Sequence, residues 1–189
     1  AFSAGATLGL AALSIGLVFG VIRLANFAAG EIITASAYSI IFTWQLGWYV
    51  AVPIAIIIGV ILSLLMELGV FSRMRTATPA TLLVASFGLS FLLQRVYELL
   101  FTNNVQTAAV APGLARSISV GGIRFQLLSL TTIAIAGLIL FALIQFLNKS
   151  IWGLQLQAAA ADFRTARLVG IPAGRVIGLS FALSGILAA

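Results

Sequence analysis

Chemistry in a protein begins with its ionisable side chains, and this chain has few: Glu31, Glu67, Glu98 and Asp162 are its acids, set against ten Lys and Arg. It contains neither Cys nor His, which removes thiolate metal sites, disulfides and the commonest general base and metal ligand. A catalytic centre is therefore not expected. Glu31 is the acid most open to a functional role, because it follows Asn26 and Gly30 in a stretch that is otherwise apolar. An ionisable group within a membrane-spanning segment normally faces the bundle interior and marks a pathway or a structural partner. Two placements of Glu31 remain open. It sits inside a span that starts near Asn26, with Gly30 marking a helix break beside a polar cavity, or it opens a helix from a wet turn, where its charge suits the dipole.

These residues need a scaffold, and composition restricts it. Hydrophobic residues make up 62% of the 189 and charged ones 7%, whereas soluble domains are about a quarter charged. At roughly 20 residues per crossing, an all-α polytopic transmembrane helix bundle of about six spans is expected, as a single domain over 1–189. The spans read as 4–22, 26–44, 50–68, 79–101, 127–147 and one from Arg175 onward. Trp44, Trp48 and Tyr49 form an interfacial aromatic cluster. Gly5/Gly9 and Gly16/Gly20 have the small-xxx-small spacing that lets helices approach closely. Glu67, Arg73 and Arg75 read as solvated boundary charges, and Arg95 with Glu98 as an i,i+3 pair near a helix end.

Two connections stand out. In 102–126, Ile118 and Val120 alternate with serines before Gly121-Gly122, and Ile123 and Phe125 alternate after it, a signal for a small β-hairpin at one membrane face. In 150–174, Asp162 suits an N-cap, Gly170 suits C′ and Pro172 forbids continuation, which predicts a short helix over 163–169. Ala159, Phe163 and Ala166 form an apolar stripe on it, flanked by Arg164 and Arg167. Placing this connection in the cytoplasm collects most Lys and Arg inside, with the hairpin and the N-terminus outside. The net charge of +6 is thus a topology signal and gives no reason to expect nucleic acid. The chain opens at Ala1 and stops at Ala189 within an apolar run, so it reads as a piece of a longer protein.

Three stretches together resemble the permeases of branched-chain amino-acid ABC importers: 16–31, which contains Asn26-Phe27-Ala28-Ala29-Gly30-Glu31; Glu67 and 71–75 with Gly88-Leu89-Ser90 and Gln94; and the connection running through Gly170-Ile171-Pro172 to Leu183. The resemblance implies a multi-pass protein of the bacterial inner membrane. It implies a second related permease subunit, cytoplasmic ATPase subunits and a periplasmic substrate-binding protein as partners, besides the lipid bilayer. ATP would be used by the ATPase, with no cofactor or metal bound by this chain. Asn26, Gly30 and Glu31 would line the substrate pathway, and Asp162, Phe163, Arg164, Arg167 and Gly170 would form the coupling helix on the ATPase, with Phe163 as its anchor. Further C-terminal helices would lie beyond residue 189. The competing reading is an ion-coupled secondary transporter or channel with Glu31 as its intramembrane charge, and a purely structural membrane scaffold is a third.

Overall fold

The computed structural model describes residues 2–22, 26–74, 77–101, 117–120 and 123–189. Helix α1 spans Phe2–Ile22, α2 Ala29–Thr43, α3 Trp48–Gly69 and α4 Pro79–Phe101. After the strands β1 (Ser117–Val120) and β2 (Ile123–Gln126) come α5 (Leu127–Lys149), α6 (Ile151–Ala161), α7 (Phe163–Leu168) and α8 (Ala173–Ala188). The strands pair antiparallel with Val120 opposite Ile123; the Gly121-Gly122 turn lies outside the described residues, as do Arg23, Arg75 and Arg116. The result is a polytopic helical bundle.

About six spans were expected, and four helices among the described residues are long and apolar enough to cross a bilayer: α1, α3, α4 and α5. The difference lies in α2, whose 15 residues are about 22 Å long at 1.5 Å per residue against a hydrocarbon core of ~30 Å, and in α8, which runs as far as Ala188, one residue before the sequence stops. Helix α2 starts late because Asn26 Oδ1 accepts the Ala28 N–H at 3.1 Å, an Asx turn that competes with helix. It ends early in a 3-10 turn, Trp44–Leu46. Gly47 follows at φ 99°, where an added Cβ would lie 2.6 Å from the Tyr49 ring, so only glycine fits this break.

Helix α8 is the centre of the bundle, packed against α1, α2 and α3. Lipid tails are as apolar as leucine, so these helices are held by close packing and by hydroxyls that reach across. Ser14 and Ser184 pair at 2.8 Å between α1 and α8. Ser63 donates to the Phe181 carbonyl at 2.6 Å between α3 and α8, and Ser36 to the Ala55 carbonyl at 3.4 Å between α2 and α3. Where α3 crosses α8, a Cβ on Gly185 would lie 2.7 Å from the Gly59 carbonyl oxygen. The glycines of α1 do not serve this purpose: positions 5, 9, 16 and 20 have nothing within 4 Å of a Cβ. Spacing marks small residues, but not which of them faces a neighbour.

Two further expectations are corrected. Glu67 is 2% exposed and not a solvated boundary charge; it lies beside buried Met66, in the wall that also holds Phe71 against Phe181 at a ring separation of 5.5 Å. The 150–174 connection holds two helices, not one. Ser150 caps α6 by accepting the Trp152 N–H at 3.2 Å. Gly153 presses on the backbone of Phe146 and Leu147, and Gln157 Nε2 donates to the Leu147 carbonyl at 2.8 Å. These contacts fold α6 back along α5, and an alanine-rich sequence propagates it well.

Candidate functional site

The turn 26–28 and the first turn of α2 bring the singled-out residues together. Asn26 is 1% exposed, and its Nδ2 has no partner among the described residues. Gly30 is exposed, with open space around the position of a Cβ. Glu31, one residue on, is 7% exposed. Its Oε1 accepts from Ser90 Oγ and from Gln94 Nε2, each at 2.9 Å. Gln94 Nε2 also donates to Ser90 Oγ at 3.3 Å, and Tyr97 Oη donates to the Glu31 carbonyl at 2.9 Å. Ser90, Gln94 and Tyr97 occur at i, i+4 and i+7, so they line one face of α4. Glu31 stands in the first turn of α2, where the dipole favours its charge, and it is enclosed by protein.

Rings extend the same contact in both directions. Phe27 stacks on Phe87 at 4.4 Å, Tyr38 on Phe101 at 4.3 Å, and Phe42 meets Phe101 at 5.3 Å. Sequence reasoning missed Ser90, Gln94 and Tyr97 as a set; their helical spacing, three polar residues on one side of an apolar helix, was the available signal. Arg95 and Glu98 pair with each other on the exposed side of α4 and take no part in the site.

At the other end, Asp162 Oδ1 accepts the Thr165 N–H at 3.2 Å and caps α7. Gly170 has φ 90°, with the Ile171 N–H reaching back to the Ala166 carbonyl at 3.1 Å. Ala159 and Ala166 are 2% and 5% exposed and belong to a core cluster with Val21, Leu156 and Val176. Phe163 is half-buried and packs on this cluster and on the one around Phe181. The stripe expected to face a partner is therefore turned inward, with Ala159 on α6 and Phe163 and Ala166 on α7. Turned outward are Asp162 and Thr165 and, at the far end of α7, Arg167, Leu168, Val169 and Gly170, with Leu168 87% and Val169 72% exposed. Among the described residues no group of three or more acidic residues is placed to hold a metal ion.

A sequence profile for the permease component of branched-chain amino acid transport systems matches residues 1–189. The chain belongs to this family. It is 24% identical over 200 residues to the high-affinity branched-chain amino acid transport system permease protein BraD of Pseudomonas aeruginosa. It is 27% identical over 201 residues to the corresponding LivH of Escherichia coli and 28% over 205 residues to that of Salmonella typhimurium. Each match takes in 98% of this chain and 65% of the relative, so the chain spans just under two thirds of the relatives' length. No solved structure matches it significantly. Two of the stretches on which the family resemblance rests, 26–31 and 88–94, meet in the structure as one polar contact through Glu31, Ser90 and Gln94.

Proposed function

We propose that this chain is part of a transmembrane permease subunit of an ATP-binding-cassette importer that moves branched-chain or other small amino acids across the bacterial inner membrane. The observation that carries the reading is Glu31, an enclosed carboxylate where α2 meets α4 in a chain matched throughout by the family profile. An acid held inside a lipid-embedded bundle is costly, and transport is the usual reason for keeping it. Asn26, Gly30 and Glu31 line the pathway. A second related permease, cytoplasmic ATPases and a periplasmic binding protein complete the importer, and ATP is hydrolysed by the ATPase. The relatives' names support the amino-acid substrate class.

The coupling helix is α7 together with its exposed end. Asp162 and Gly170 fix its length, Arg167, Leu168 and Val169 dock on the ATPase, and Phe163 carries the movement into both core clusters. Arg164 remains part of the docking surface in this reading. The test is uptake of labelled leucine by proteoliposomes that hold the full-length permease with its ATPase and binding protein. Uptake is expected only with ATP. Uptake driven by an ion gradient without ATP would support the secondary-transporter alternative and overturn this one.

A further inference from the structure

Helix α4 is attached to the rest of the chain in an unusual manner. Its principal neighbour among the described elements is α2, and its outward side presents Val84, Phe91, Leu92, Leu99 and Leu100. Leu82, Leu89 and Leu93 give it partial apolar contact with the core. Its seam with α2 is made by the polar contacts at Glu31 and by the ring stacks before and after it. We propose that Ser90, Gln94 and Tyr97 are positioning residues that hold Glu31, so that the α2–α4 seam is a gate over the pathway, latched at this carboxylate and opened once per transport cycle.

The physical case rests on the kind of bonds involved. A helix docked in lipid by apolar packing alone has acyl chains as a ready substitute for its contacts, so such packing does not latch it at a defined place. The seam instead concentrates its attachment in bonds that water or substrate can replace, because hydroxyl, amide and carboxylate groups all exchange partners with solvent at little net cost. Gln94 Nε2 donates toward both Glu31 and Ser90, so a shift of this one amide releases both contacts together. Tyr97 holds the backbone of the same residue, which ties α4 to the start of α2, the segment that the proposed pathway passes. The stacked pairs can slide or part without exposing an unsatisfied polar group. This inference rests on the pathway reading of Glu31, and its test separates the two.

Phe27→Cys and Phe87→Cys, placed in the full-length permease within the assembled importer, report the seam, since their rings lie 4.4 Å apart and the present sequence has no other cysteine. A short bifunctional thiol reagent is expected to link them in the resting importer, to arrest uptake, and to link them several-fold more slowly during ATP turnover. Glu31→Ala, which removes the acceptor of two hydrogen bonds, should shift the seam toward open and lower the resting cross-linking rate by about tenfold. Glu31→Gln retains an acceptor oxygen and should keep cross-linking while losing uptake. Gln94→Glu should open the seam by repulsion, and combining it with Glu31→Gln should restore cross-linking. Tyr38→Cys with Phe101→Cys is the second reporter, used if the first pair does not assemble. Full uptake by the cross-linked importer, or cross-linking unchanged by ATP and by Glu31→Ala, would overturn the gate and leave the permease reading intact. Full uptake by Glu31→Gln with normal cross-linking would instead overturn the pathway reading.

Discussion

ATP-driven uptake by the Glu31→Gln transporter is expected to fall by about tenfold or more, with insertion and assembly unchanged. The glutamine has the same size, and its carbonyl oxygen can still accept from Ser90 and Gln94, which now approach Oε1 at 2.9 Å. Only the charge is lost. Hydrogen bonds to a charged group contribute roughly 1.5–3 kcal/mol against about 1 for neutral pairs, and 1.4 kcal/mol corresponds to a factor of about ten. Weaker acceptance by the neutral amide alone accounts for about 0.5–2 kcal/mol and would show as poorer assembly, so a tenfold fall in uptake with assembly unchanged assigns the effect to the charge during transport. The measurement is initial uptake rate normalised to permease in the membrane.

The second large effect is expected at the far end of the molecule. Leu168→Asp combined with Val169→Asp should release the ATPase, because both side chains stand outside the fold at 87% and 72% exposure and have no role in the core. Loss of a buried apolar anchor at an interface commonly costs 2 kcal/mol or more, about thirtyfold in affinity. Phe163→Ala should behave differently. Phe163 packs on both core clusters, so its truncation loosens α7 on the bundle, and the expected outcome is an ATPase that still copurifies and hydrolyses ATP while uptake falls. Copurification of the ATPase with the full-length variants, alongside uptake, separates the outcomes. Loss of the ATPase in Phe163→Ala with retention in the double Asp variant would return the docking face to Phe163.

Much of this arrangement is legible in the sequence, and the gaps have physical causes. Glu31 stands out because any acid in an apolar span is rare, and α7 because its stop signals, Gly170 and Pro172, and its cap, Asp162, are local features. Local features survive the step from sequence to structure. What does not is anything decided by a partner far along the chain. The stripe Ala159, Phe163, Ala166 shows that a face is apolar, but whether it meets its own core or another protein depends on Val21 and Val176, which lie more than a hundred residues apart in the chain. Glu67 looked solvated because basic residues follow it directly, yet it is buried. The true close crossing joins Gly59, set between Ala55 and Ser63 at small-xxx-small spacing, to Gly185, while the paired glycines of α1 have nothing within 4 Å of a Cβ. Helix α2 was expected to fill its span, and the Asx turn at Asn26 and the break at Gly47 shorten it from both ends.

The central claim is that the pathway passes the start of α2, and Gly30 offers the most direct probe of it. Gly30 is exposed, a Cβ there meets nothing within 4 Å, and it adjoins the enclosed Glu31. With Gly30→Cys in the full-length permease of the assembled importer, the rate of modification by a small, charged, water-soluble thiol reagent should be measured at rest, during ATP turnover, and during turnover with saturating substrate and binding protein. The account predicts faster modification during turnover than at rest, and slower modification again when substrate occupies the pathway. A cysteine at this position that the charged reagent never reaches in any of the three conditions faces lipid or sealed protein, and that result would contradict the account.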